Sequence, residues 1–153
     1  MGLSGIILRE KKYINFEEIV ETIKVAILNA GMKYQNGIDF EQRSDGTYEY
    51  ITLNVIHNDG RDFLMYIYDK SEDIYDDDYD WIRKDKSLNQ IINIENFSEC
   101  EDMLLSFAFE YLKLCPEDIF FNEQKWYYSV EDIKKIAETI FDCEWCYKDP
   151  RVR

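Results

Sequence analysis

Positive charge is scarce in this chain. Its 153 residues hold 18 Lys and Arg against 32 Asp and Glu, a formal net charge of −14. A nucleic-acid binder needs clustered Lys and Arg to meet phosphates, so that class is disfavoured. Docking on an anionic membrane surface is disfavoured for the same reason. No apolar run is long enough to span a bilayer, and the short stretch Gly5 to Leu8, followed by charge, has the wrong order and length for a secretory signal. Only two prolines occur, Pro116 and Pro150, with no repeat and no Pro/Gly/Ser linker. One domain spanning 1–153 is therefore expected, in the cytoplasm. Hydrophobic residues at 46% and aromatics at 16% supply enough apolar surface to fold it despite the charge.

Chemistry-bearing residues are also thin. The only histidine is His57, so Ser–His or Cys–His catalysis has to run through it. With no visible partner, it reads as a structural or rim histidine. No glycine-rich phosphate loop, His-Glu-x-x-His or Gly-x-Ser-x-Gly motif is present, and no carboxylate pair stands out among the acids. A non-enzymatic protein without a cofactor is expected. The cysteines are Cys100, Cys115, Cys143 and Cys146. Cys143 and Cys146 have the C-x-x-C spacing, but zinc needs two further ligands, and the pair falls at the end of an apparent helix rather than at a helix start. Free thiols and no metal site are expected.

Periodicity specifies an α+β class. Asn15 and Glu18 form a capping-box signal, with Ile14 and Ile19 as a hydrophobic staple. Phe16, Ile19, Val20, Ile23, Ile27 and Ala30 follow at helical spacing until Gly31. Three alternating stretches, about 34–43, 47–57 and 62–69, are then separated by Ser44-Asp45-Gly46 and Asn58-Asp59-Gly60. A two-residue first turn pairs Phe40 with Ile51 and Ile38 with Leu53. A three-residue second turn pairs Val55 with Phe63, Leu53 with Met65 and Ile51 with Ile67. The opposite face receives Tyr48, Tyr50, Thr52, Asn54, Tyr66 and Tyr68. A fourth strand is possible through Ile91 to Phe97. Ser98, with Glu101 as capping partner, opens a helix to Leu114 that is apolar around most of its circumference, its polar stripe being Glu99, Asp102, Ser106, Glu110 and Lys113. Pro116 stops it and starts a turn through Phe121. Trp126, Tyr127 and Tyr128 read as a loop packed over the core. Ser129 begins a last helix with Val130, Ile133, Ile136, Ala137 and Ile140 inward. The expected fold is an N-terminal helix, a three- to four-stranded antiparallel meander, and two main C-terminal helices on one face of the sheet.

The densest polar feature is 69–80, with seven acids against one lysine, followed by Trp81. A calcium loop starting at Asp69 would use Asp69, Ser71, Asp73, the Tyr75 carbonyl, Asp77 and Asp80, but its required glycine falls on Ile74. A solvated loop is a second reading. The third is a recognition surface in which Asp73, Asp76, Asp77, Asp78 and Asp80 steer a basic partner while Tyr75, Tyr79 and Trp81 provide rigid contact area. We adopt the third as the candidate partner-binding site.

The segment from Leu104 to Phe121, which includes Phe107-Ala-Phe-Glu-Tyr-Leu-Lys-Leu-Cys-Pro-Glu-Asp-Ile-Phe-Phe121, resembles C-terminal segments of small bacterial immunity proteins. These bind and neutralise polymorphic or contact-dependent toxins. The resemblance covers about an eighth of the chain and implies a cytosolic single-domain inhibitor of a cognate toxin, the toxin being basic where the inhibitor is acidic. The chain lacks the Trp…Leu-Pro-x-x-Tyr pattern with following Asn-Gly-Gly that marks one large immunity superfamily, and no binding residue carries over. The alternative is a small regulatory or structural adaptor for another cytosolic protein.

Overall fold

In the computed structural model, residues 5–69, 88–122 and 126–152 are described. Strand β1 (Gly5–Glu10) leads into α1 (Phe16–Asn29). The hairpin strands β2 (Lys33–Gln42), β3 (Tyr48–Ile56) and β4 (Asp62–Tyr68) follow. After β5 (Leu88–Glu95) come α2 (Glu101–Leu114), β6 (Ile119–Asn122), β7 (Tyr127–Tyr128) and α3 (Val130–Ala137). Among the described residues the strands form one seven-stranded sheet in the order β2-β3-β4-β5-β1-β6-β7, each neighbouring pair antiparallel. The α+β class is as expected. The expected sheet is too small, because β1 precedes the first helix and sits at the sheet's interior, while β6 and β7 extend the sheet beyond it.

Gly5 to Leu8 reads as an unbroken apolar run because β1 is buried on both faces. Ile7 joins the main core under the helices, whereas Ile6 and Leu8 pack with Leu88, Ile119 and Phe121 in a second cluster on the opposite face. Gly5 is required by packing, since a Cβ there would meet the Phe120 ring at 2.9 Å. The segment after Pro116 is thus a strand and not only a turn. The Trp126–Tyr128 stretch is no simple loop: Tyr127 and Tyr128 pair with Phe121 and Phe120 as the edge strand β7.

The helices cover one face. The Asn15 side chain accepts the Glu18 N–H, and Ile14, Ile19, Ile23 and Ile27 lie in the core. Gly31 adopts φ +78°, and Gly60 likewise has φ +94° at the second turn. In α2, Met103, Leu104, Leu105, Phe107, Ala108, Tyr111 and Leu112 are buried, which agrees with its near-continuous apolar surface. Its start differs from expectation. The helix begins at Glu101 after Glu99 at φ 66°, and Cys100 occupies the cap without a side-chain hydrogen bond, so Ser98 does not cap it. Ser129 does cap α3, in a reciprocal capping box with Asp132. That helix stops at Ala137, earlier than its apolar spacing suggested, and Ile140 is 95% exposed. Trp145 is fully buried against Phe120 and Tyr128 and donates its indole N–H to the Glu101 carbonyl at 2.8 Å. The C-terminal turn thereby ties to the first turn of α2.

Candidate functional site

The site expected from charge, Asp73, Tyr75, Asp76, Asp77, Asp78, Tyr79, Asp80 and Trp81, lies outside the described residues, as does the rest of 70–87. Three other constellations are described.

The first is buried. Arg9 on β1 places Nε and Nη2 on the Asp118 carboxylate at 2.9–3.1 Å, and the Tyr111 hydroxyl donates to the same carboxylate at 2.6 Å. Arg9 Nη2 also lies 3.2 Å from Cys115 Sγ and from Tyr111 Oη. Asp118 is 3% exposed, and burial pushes its carboxyl above the usual range against the pull of Arg9 and Tyr111. Burial also raises Tyr111 and Cys115, which keeps the Cys115 thiol protonated and a poor nucleophile. A carboxylate enclosed by its own donors has nothing left to offer a substrate. The cluster ties β1 to the end of α2 and the start of β6.

The second is an open groove of about 800 Å³ where α1 overhangs the β2–β3 hairpin. Phe16, Val20 and Ile51 line it together with Glu17, Glu21 and Asp69. Tyr48 lines it as well, packed edge-on against Phe40 at 5.8 Å. A register shift between Glu41 and Gln42 opposite β3 moves Tyr48 away from the face expected for it.

The third is the face of β2–β3–β4 that carries no helix among the described residues. The expected pairs Val55–Phe63, Leu53–Met65 and Ile51–Ile67 are all present, so Tyr50, Thr52, Tyr66 and Tyr68 share the other face as expected. Phe40 pairs with Ile51 as expected, but Leu53 pairs with Asn36, so Ile38 does not oppose it. Gly37, Ile38 and Asp39 instead bulge opposite Thr52, and Ile38 is 99% exposed. The Thr52 hydroxyl, itself 2% exposed as a residue, donates to the Asp39 carbonyl at 2.7 Å. A Cβ on residue 37 would overlap the Thr52 side chain, so glycine is needed there.

The bulge delivers Asp39 to the tyrosines. Tyr50 donates to Asp39 Oδ1 at 2.8 Å and Tyr66 to Oδ2 at 3.3 Å. The Tyr50 ring lies 5.9 Å from Tyr66 and 6.0 Å from Tyr68, and Tyr66 stacks on Tyr68 at 6.3 Å. The hydrogen bond to Asp39 and the nearby carboxylates push the Tyr50 hydroxyl up to about 12, so it remains a neutral donor. Glu41, opposite Tyr50, and Glu95, opposite Leu64, add acid to the same face. The signal that could have found Asp39 was Gly37 inside an alternating stretch, since a strand glycine often marks a bulge.

His57 Nδ1 accepts the Asp59 N–H at 3.2 Å within the second turn, as a rim histidine would. All four cysteines are free thiols; Cys100 and Cys146 are buried and Cys143 is exposed. Cys143 and Cys146 follow α3 by several residues instead of ending it. Among the described residues no group of three His, Cys, Asp or Glu is arranged to hold a metal ion, and no helix is long and apolar enough to cross a membrane.

No family model matches the chain, and no curated protein or solved structure matches it either.

Proposed function

We propose that the chain is a non-enzymatic, acidic protein-binding domain, an immunity protein that binds and neutralises a basic bacterial toxin in the cytoplasm. One observation carries this reading: the face of β2–β4 opposite α1, α2 and α3 presents tyrosines and carboxylates together on a rigid sheet. Tyrosine contributes contact area at little entropic cost, and fixed acids steer a basic partner and select against acidic ones. The overall charge of −14 acts in the same direction at longer range. The acidic segment Asp73 to Trp81 belongs to the same reading as a further part of the partner face.

The test is neutralisation. Co-expression of the chain with a toxin encoded beside it should relieve growth arrest, and the purified pair should associate more slowly as salt is raised. Replacing Asp76, Asp77, Asp78 and Asp80 with Asn should slow association and flatten its salt dependence, while Trp81→Ala should mainly speed dissociation. Unchanged rates return 69–80 to a solvated loop. No relief of growth arrest and no association would favour the adaptor reading.

A further inference from the structure

We propose that Asp39, Tyr50 and Tyr66 form a receptor for an arginine side chain of the basic protein partner, with the β2 bulge holding the carboxylate in position; this rests on the reading of the chain as an acidic binding domain. A carboxylate offers about four acceptor positions, two on each oxygen. One position on Oδ1 is taken by Tyr50 and one on Oδ2 by Tyr66. Each oxygen keeps an open position, which matches the fork of a guanidinium. Among the described residues the aspartates in ion pairs with arginine are Asp59, Asp69, Asp102, Asp118 and Asp149, whereas Asp39 meets no Lys or Arg. Asp39 is also exposed.

The surroundings suit a planar cation. A guanidinium can fork onto a carboxylate while its flat face lies on an aromatic ring, and an ammonium cannot do both. Tyr50 and Tyr66 present tilted rings, 41° apart, beside that carboxylate. Glu41 and Glu95 raise the local negative potential. Ile38 at the apex of the bulge offers an apolar contact to whatever flanks the arginine. Pre-positioning is built in. Thr52 pins the Asp39 carbonyl from below, and Gly37 lets the strand close over Thr52, so the carboxylate needs little ordering on binding.

The probe is a short peptide of repeated Arg-Gly-Gly, compared with its Lys-Gly-Gly counterpart, titrated into the full chain by calorimetry at fixed salt. The arginine peptide should bind about fivefold or more tighter than the lysine peptide. Asp39→Asn should weaken the arginine peptide about tenfold, as loss of a charge-assisted pair does. Glu131→Gln, which removes the same charge from exposed α3, should change it less than about twofold. Equal losses in the two variants would show diffuse charge attraction and overturn the assignment. Equal affinity for the two peptides would overturn it without any variant, whatever Asp39→Asn does to folding. Toxin neutralisation that survives Asp39→Asn unchanged overturns this receptor while sparing the immunity reading. Arginine selectivity that maps to Asp39 without neutralisation supports the receptor and defeats the immunity reading.

Discussion

The face of the sheet opposite α1, α2 and α3 is divided in two. Over β1 and β6 it carries Ile6, Leu8, Ile119 and Phe121, nearly all of their surface buried. Over β2, β3 and β4 it carries Asp39, Glu41, Tyr50 and Tyr66, with rings tilted against one another and phenols spent on one carboxylate. Both halves belong to one seven-stranded sheet. What differs is the use made of side chains. The first half removes apolar area from water and holds together strands that are far apart in sequence. The second contributes little to burial and displays polar and aromatic groups in fixed positions.

The largest expected effect lies in the buried half. Phe121→Ala there, and Phe107→Ala on the core side of α2, should each cost about 3–5 kcal/mol in denaturant unfolding, whereas Tyr66→Ala should cost less than about 1 kcal/mol. Equal losses would erase the distinction between the two halves. Asp118→Ala should be comparably severe, about 3–5 kcal/mol, because it leaves the Arg9 guanidinium, 12% exposed, without its carboxylate. A smaller loss would show that water reaches Arg9 through the cleft that it lines with Tyr13, Leu88 and Leu114.

Gly37→Ala should cost about 1–3 kcal/mol, since Thr52 must move to admit the new methyl. It should also displace Asp39, which an altered Tyr50 titration would report. A variant with wild-type stability and titration would mean that the bulge does not set the carboxylate.

The smallest effect concerns acid. Arg61 grips Asp102 through two bonds of 2.8 Å and holds its carboxyl below the ordinary 3.8. A carboxylate with a lowered folded value contributes stability that is complete above the unfolded value and is lost as the pH falls through the folded one. Asp102→Asn should therefore make stability less steep below about pH 4. An unchanged slope would assign acid sensitivity to other groups. Glu99 and Glu110, which share the expected polar stripe, should tolerate Ala with changes within about 0.5 kcal/mol.

The same division governs what the sequence disclosed. Strands β2, β3 and β4 are joined by short turns whose Asp-Gly and Asn-Asp-Gly chemistry is local, so their pairing and shared faces could be read directly. The first turn illustrates the limit. Arg43 bonds Thr47 across a three-residue loop, yet the bulge beside it restores the Phe40–Ile51 pair. β1, β6 and β7 have no such local signal. β1 finds partners near residues 90 and 120, and only the unbroken apolar run Ile6-Ile7-Leu8 hinted at burial on both faces. Ile140 continues the apolar helical spacing, yet Thr139 turns back to the Ile136 carbonyl and ends α3. Of the receptor, strand alternation puts Tyr50 and Tyr66 on one face, but it does not bring Asp39 to them. Asp39 reaches them only because three bulged residues oppose one.

The most direct test of the division is a side-chain NMR footprint of the full chain with the arginine peptide. The account predicts that perturbations concentrate on Asp39, Tyr50 and Tyr66, fade across β4, and leave Ile6, Leu8 and Phe121 unmoved. A footprint centred on Val20 and Ile51 in the α1 groove, or one spread evenly over all acidic positions, would contradict it.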